Sequence, residues 1–524
     1  MTRSFRGGAW ILLAPVLSGL LFALAFPNTA WGYLAWVALI PLFSVMHNKP
    51  WRCGFSAGVV FFAIVLYWLN TVMVTYGHLP LVVSLLLYLL LVVYLASFWG
   101  GICWCSCRIE QRLNLPLPLV LPLVWVVFEF GRNFALTGFP WANIAYSQAP
   151  YPALVQGADL GGVYVLVFLL VLVNCAGVAA WKAYRSDYAL PWRLLVLVLV
   201  LWLGHYGYGL WRLAQIDCRS GGDSLRVAMV QGNIEQSLKW NPDCLRSTLT
   251  TYQRLSAQTD TPDLIIWPES STPFFYQDGG RRAGKVRSVA RENRAMVLFG
   301  SPAYMQEVGQ QTGEDGEKLV QVDNRRRYRY LNSAYLLSSQ GQTMGRSDKV
   351  HLVPFGEYVP LSGVLGFVDR LVQGVGDFVS GVNCPLQLNG HQVGVLVCYE
   401  AIFPEIARHQ VANGAGLLVN ITNDAWFGDS SAPWQHLAMT RFRAVENRVW
   451  IARCANTGVT AIVDPTGRVV KHSRLFHAET VEGVVYFCDE TSLYTRTGDT
   501  VPLLFCVVVV VWLWQSRKKS LVAH

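Results

Sequence analysis

Gly394-Val395-Leu396-Val397-Cys398-Tyr399-Glu400 is a run of hydrophobes that stops at a cysteine followed, two residues on, by a carboxylate. A short, continuously apolar run fits a strand buried on both faces, which belongs in a covered sheet and not at a solvated surface. Runs of the same texture occur at 225–231, 263–267, 295–300, 333–337, 393–398, 416–420, 450–455 and 460–463. Helix-like polar segments at 243–258 and 279–293 separate some of them. Strand and helix alternation predicts a layered α/β domain, and in such sheets chemistry collects at the carboxyl ends of strands.

Outward from that domain the texture changes. The chain has 524 residues, of which 53% are hydrophobic and only 14% charged, with 20 tryptophans. Average chains carry about 25% charged residues, so an all-soluble protein, a disordered scaffold and a nucleic-acid-wrapping tail are excluded. Apolar runs at 9–26, 30–46, 54–74, 80–104, 116–130, 160–181 and 192–210 fill the amino-terminal part, and an eighth at 501–514 closes the chain. Most approach the roughly 20 residues that cross a hydrocarbon core of about 30 Å, and flanking aromatics such as Trp512 and Trp514 extend the short ones. The first run could also be a cleaved signal peptide, but a second begins within a few residues, which favours a helical hairpin. The expected division is 1–212 as a seven-helix membrane domain, 213–500 as the α/β domain, and 501–524 as a last helix with a basic tail.

The net charge of +9 serves chiefly as an orientation signal. Lys49 and Arg52, Arg108 and Arg112, and Lys182, Arg185 and Arg193 mark cytoplasmic connections, as do Arg3 and Arg6 at the start and Arg517, Lys518 and Lys519 at the end. Both termini are then cytoplasmic and the α/β domain lies outside. Arg132 alone votes the other way, beside Glu129, the only acid within the eight runs. An acid at membrane depth either pairs or shapes a cavity. The uncharged aromatic segment that includes Phe139-Pro140-Trp141, Tyr146 and Tyr151 suits the headgroup boundary. Cys103, Cys105 and Cys107 are scattered around a helix by their alternate spacing and have no histidine nearby in sequence, so no metal site is expected.

Three polar clusters sit at strand ends. Ile265-Ile266-Trp267-Pro268-Glu269 closes a strand with a proline and delivers a carboxylate. The loop Lys349-Val350-His351-Leu352-Val353-Pro354-Phe355-Gly356-Glu357 carries a lysine and a glutamate. The third cluster is Cys398-Tyr399-Glu400. Separately these read as a helix cap, a surface ion pair and a core thiol. Together they supply what covalent acyl transfer needs: a base for the thiol, a cation for thiolate and oxyanion, and a nucleophile. Cys384, in an Asn-Cys-Pro turn, and Cys454, inside a strand, have no acid placed like Glu400.

These three clusters, in this order and spacing, resemble the Glu-Lys-Cys motifs of the nitrilase superfamily, whose fold is an αββα sandwich. With the apolar runs, Val230-Gln231-Gly232-Asn233-Ile234 with Lys239-Trp240, the membrane elements Trp125, Glu129 and Phe139-Pro140-Trp141, and Asn423-Asp424-Ala425-Trp426-Phe427-Gly428, the whole chain is similar to the bacterial apolipoprotein N-acyltransferases. The resemblance implies Glu269 as general base, Lys349 as oxyanion stabiliser and Cys398 as nucleophile. It further implies support from Glu357, Glu400 and Tyr399, and lipid or substrate binding by Trp240, Trp141 and Glu129. The implied substrates are a phospholipid acyl donor and a diacylated apolipoprotein acceptor, at a bacterial inner membrane, with no cofactor and no nucleic acid. The charged stretch 306–328, with Arg325, Arg326, Arg327 and Arg329, reads as a solvated loop. A membrane-tethered amidase would use the same three residues but need only one anchor, and a transporter with an outer binding domain would need paired intramembrane charges or repeated broken helices.

Overall fold

Every apolar run predicted as a strand forms one. The computed structural model describes residues 7–27, 31–186, 189–217, 223–239, 241–306, 311–312, 318–319, 328–354, 356–358 and 378–522. Its strands are β1 (Ser224–Gln231), β2 (Leu264–Ile266), β3 (Met296–Gln306), β4 (Gln311–Thr312), β5 (Lys318–Leu319), β6 (Tyr328–Leu337), β7 (Thr343–Asp348), β8 (Leu386–Leu388), β9 (His391–Val397), β10 (Ala415–Thr422), β11 (Trp450–Ala455), β12 (Ala461–Val463), β13 (Val469–His472) and β14 (Glu479–Tyr486). They build two six-stranded sheets, ordered β14-β1-β2-β3-β6-β7 and β13-β12-β11-β10-β9-β8, with β4 and β5 as a separate pair.

The central strands are parallel and in register: Val227 faces Leu264, Leu264 faces Met296, and Val419 lies between Val395 and Ala452. Alternation then divides each strand between two cores. Val227, Met229, Leu264, Ile266, Val393, Val395, Val397, Leu417 and Val419 fill the space between the sheets. Ala228, Val230, Ile265 and Trp267 instead meet helices Leu245–Ser256 and Gly280–Asn293 on the outside of the first sheet. Leu396, Leu418 and Ile451 meet helices Pro404–Ala412 and Ala432–Asn447 outside the second. The result is the four-layer αββα sandwich that the strand pattern and the resemblance led one to expect.

The same topology sets three strand ends on one edge. Because β3–β6 and β6–β7 are both antiparallel, β7 runs in the same sense as β2 and ends at the same edge. Lys349 follows β7, Glu269 follows β2, and Cys398 follows β9 in the facing sheet.

The apolar runs outside the sandwich are helical, in differing ways. Among the described residues, four helices are long and apolar enough to cross a membrane: Leu81–Leu113, Val163–Arg185, Trp192–Gln215 and Thr500–Lys518. A fifth candidate is the pair Pro50–Val65 and Leu69–Tyr76, bent by 57°. Ala9–Leu24 is shorter, Leu117–Arg132 has 16 residues, and the run at 30–46 breaks into a 3-10 turn, Gly32–Trp36, and a short helix, Ile40–Val45. Close packing depends on missing side chains: a Cβ on Gly54 would stand 2.2 Å from the Trp99 carbonyl oxygen, so only glycine lets Pro50–Val65 approach Leu81–Leu113.

A bend in a membrane helix frees backbone groups that must find partners. Here the sandwich supplies one, since Gln435 Nε2 donates to the Val65 carbonyl at 3.1 Å. Trp68, at the break, packs on Trp141 and Phe427 with ring centroids 4.9 Å away in each case. A second junction centres on buried Asp159, which accepts from Arg448 at 2.7 Å, Arg212 at 3.1 Å and Tyr208 at 2.8 Å. Bundle and sandwich thus share a polar and aromatic seam.

Candidate active site

Glu269 reaches the sandwich edge because Pro268 ends β2, and Trp267 anchors the turn by donating to Ser256 Oγ at 2.9 Å. Its carboxylate is buried, and its two oxygens have different surroundings. Oε1 accepts from Asn332 Nδ2 at 2.8 Å and lies 3.8 Å from Lys349 Nζ. Oε2 is buried with no hydrogen-bond partner among the described residues. A buried carboxylate oxygen without a donor is costly, and its position beside Lys349 leaves it free to accept a proton.

Lys349 is 1% exposed and is held in an ion pair with Glu357 Oε2 at 2.8 Å. Burial works against its charge, but Glu357 and Glu269 outweigh it and hold the ammonium well above the ordinary lysine range. Glu357 is itself fixed by Asn332 Nδ2 at 2.9 Å and the Val353 amide at 2.9 Å. Asn332, on β6, therefore bridges both carboxylates. No motif in the sequence singled it out, because an asparagine inside a strand carries no local signal.

Cys398 ends β9 in a left-handed conformation, φ +54°, which costs a non-glycine residue about 1–3 kcal/mol and persists only where its surroundings impose it. Glu400 is part of what imposes it. Fully buried, it accepts from the Val397 amide at 2.7 Å with one oxygen and from the Val350 and His351 amides at 2.6 and 3.2 Å with the other. One side chain thus ties the cysteine turn to the loop that follows Lys349. Burial pushes the Glu400 carboxyl up to about 7, against the pull of those amides. The Cys398 thiol is pushed up to about 12, by burial first and then by Glu269, while Lys349 and the Thr422 hydroxyl pull it down. It rests as a thiol within the field of both groups.

Lys239 adds a second ammonium to the site. It is 2% exposed and donates to the Glu269 carbonyl at 2.9 Å. Burial lowers it to about 8 against the attraction of Glu269 and Cys398. The sequence offered it only as the neighbour of Trp240, and Trp240 lies outside the described residues.

The remaining expected residues fall at the rim and the seam. Tyr399 packs on Phe403 at 5.2 Å and His351 at 6.0 Å, and burial raises its phenol. Trp141 is buried, donates to Gln435 Oε1 at 2.7 Å and packs on His436 at 5.7 Å. Glu129 is paired with Arg132 and accepts from Asn143 at 3.2 Å and Trp125 at 3.4 Å, while Arg132 donates to the Trp141 carbonyl at 3.0 Å. Of the two options for this acid, pairing is the one observed. Cys454 lies between the sheets with its thiol on the Ile266 carbonyl at 3.3 Å, and Cys384 is exposed. Residues 325–327 of the arginine-rich stretch lie outside the described residues.

Comparison with known proteins shows the family. Residues 18–176 match the apolipoprotein N-acyltransferase N-terminal domain, and residues 226–485 match the carbon-nitrogen hydrolase family. An apolipoprotein N-acyltransferase of Geobacter metallireducens is 44% identical over 97% of this chain and 96% of its own. Apolipoprotein N-acyltransferases of Methylococcus capsulatus and Pseudomonas aeruginosa are 32% and 33% identical over 98% and 83% of this chain, and 97% and 81% of their own. Among solved structures, an amidase from Nesterenkonia sp. aligns with 52% of this chain and 92% of its own at 20% identity, with a TM-score of 0.35, too distant to weigh. On identity of that extent, the chain belongs to the apolipoprotein N-acyltransferase family.

Proposed function

We propose that the protein moves the sn-1 acyl chain of a phospholipid, typically phosphatidylethanolamine, to the α-amino group of the S-diacylglyceryl cysteine of an apolipoprotein, through a thioester on Cys398. The observation that carries this reading is the convergence of Glu269, Lys349 and Cys398 on one edge, with Glu269 Oε2 unpartnered among the described residues.

In the first half-reaction Glu269 takes the Cys398 proton as sulfur attacks the ester carbonyl. The tetrahedral oxyanion develops beside Lys349, and Glu269 returns the proton to the departing lysophospholipid oxygen. In the second, the amine attacks the thioester carbonyl, Glu269 accepts its proton, and the thiol is restored. Two steps suit a donor and an acceptor that need never be bound together. A cysteine resting as a thiol makes base assistance necessary. Glu357 and Glu400 position the Lys349 loop, and Tyr399 borders the nucleophile. Trp141 is assigned to the wall facing the lipids, Glu129 to holding that wall through Arg132, and Trp240 to lipid contact.

The same reading makes 1–212 a seven-span domain, 213–500 a periplasmic catalytic domain and 501–524 an eighth span with a cytoplasmic tail. The enzyme then lies in the inner membrane with both termini inside. Segments too short to cross alone, such as Leu117–Arg132, would do so with their flanking turns.

Reconstituted with phospholipid labelled in its sn-1 chain, the wild type should form a hydroxylamine-sensitive labelled adduct, and Cys398→Ala should form none. Absence of that adduct from the wild type, with diacylated lipoprotein left unchanged, overturns the reading.

A further inference from the structure

A second cluster of reactive side chains stands far from the sandwich. Helix Leu81–Leu113 has 33 residues, and its first turns lie beside the Leu69–Tyr76 segment, where Ser84 Oγ donates to Asn70 at 2.9 Å. Cys107 is some 26 residues further along, roughly 40 Å at 1.5 Å per residue. That distance exceeds the roughly 30 Å of a hydrocarbon core, so the helix delivers its last turns to the opposite boundary.

There, three ligand types meet. His47, just beyond helix Ile40–Val45, holds its Nε2 at 2.7 Å from Glu110 Oε2. Cys107 lies one turn before Glu110 on the same helix face. Its Sγ, His47 Nε2 and a Glu110 carboxylate oxygen all lie within 4.8 Å of one another. The thiol is buried, at 2% exposure, whereas the His47 and Glu110 side chains are 34% and 25% exposed, so the cluster runs from a buried thiol to an open mouth. Local sequence carries no sign of this: no histidine stands near Cys103-Trp104-Cys105-Ser106-Cys107, and the fold brings one from 60 residues before Cys107.

We propose that His47, Cys107 and Glu110 form a binding site for a borderline-soft divalent transition-metal cation of the Zn2+ class, with the fourth position open to solvent. One neutral imidazole, one thiolate and one carboxylate balance a dication, so no net charge is left beside the apolar bundle. Bonds of about 2.0–2.3 Å to such an ion require ligand atoms separated by somewhat over 3 Å, which small rotamer adjustments supply here. The thiolate selects against Mg2+ and Ca2+. Binding releases the Cys107 proton, so affinity falls as pH falls. The ion would fasten the turn after Ile40–Val45 to the end of Leu81–Leu113, adding to the His47–Glu110 contact already there.

The test uses the full-length protein in nanodiscs, stripped with a chelator and titrated with Co2+ and Zn2+. One Co2+ per chain should bind with a thiolate-to-metal charge-transfer band in the near ultraviolet and the visible bands of a four-coordinate ion, and Zn2+ should displace it. Cys107→Ser should abolish the charge-transfer band, and His47→Gln and Glu110→Gln should each weaken binding more than tenfold. Cys384→Ser, which removes an exposed thiol elsewhere, should change nothing. No charge-transfer band in the wild type, or a band that survives Cys107→Ser, overturns the site. Should Cys107→Ser fail to fold, unchanged affinity in His47→Gln and Glu110→Gln overturns it equally.

Discussion

Two buried glutamates, one in the bundle and one in the sandwich, differ in how fully their oxygens are occupied. Glu129 is 3% exposed and Glu269 is 7% exposed, and each has a cation nearby. Both Glu129 oxygens are occupied, by Arg132, Asn143 and Trp125. Glu269 has Asn332 on one oxygen, no hydrogen-bond partner on the other among the described residues, and a lysine that lies closer to Glu357, at 2.8 Å, than to Glu269, at 3.8 Å. Burial alone therefore does not mark chemistry. What distinguishes Glu269 is an open acceptor set beside a buried lysine and a cysteine at the same sheet edge.

The sharpest way to break that contrast is to neutralise each acid in turn. Glu269→Gln keeps an oxygen for Asn332 and removes the proposed base, so acyl-enzyme formation should fall about 10²–10⁴-fold with thermal unfolding unchanged. Single-turnover labelling beside a melting curve checks both. A normal acylation rate would show that the open oxygen has no task. Glu129→Gln should do the reverse. It leaves Arg132 buried without its counter-charge, which costs about 3–5 kcal/mol of stability, while the rate per folded molecule stays near that of the wild type. A variant that melts normally but acylates slowly would move Glu129 from scaffold to substrate handling.

The contrast also explains what the sequence could and could not reveal. Glu269, Lys349 and Cys398 were legible because each follows an apolar strand directly, and a strand end fixes a side chain in space from local pattern alone. The eight central strands were legible for the same reason. The strands β7, β8, β13 and β14 were not. Glu479–Tyr486 pairs with all eight residues of β1 yet is buried on one face only, and its alternation is interrupted by Gly483 at the edge of the sheet. Asn332 escaped because its importance comes from which two carboxylates it meets, 63 and 25 residues away. The run at 30–46 looked continuous by hydropathy, whereas backbone geometry breaks it after Trp36. Composition reports burial well and says little about where a helix bends.

Lys239 offers the smallest effect and a finer test of the same idea, because it is a buried cation whose partner is a carbonyl instead of a carboxylate. Burial holds it at about 8 in the folded protein against 10.5 for a free lysine. Between those values the unfolded chain binds the extra proton, so the contribution of Lys239 to stability rises with pH from about 8 to 10.5; below about 8 the folded protein carries the charge at a cost. Activity should move the other way. The ammonium lies in the field of Cys398 and Glu269, and its loss above about pH 8 removes a charge that favours the thiolate. Acyl-enzyme formation should therefore fall by a few-fold through that pH, since one unit charge at partial screening contributes on the order of 1 kcal/mol. In Lys239→Met the inflection near pH 8 should vanish, leaving a flat or rising profile at a lower plateau. An identical inflection in the variant would assign the titration to another group, with Glu400 at about 7 the first to examine by Glu400→Gln.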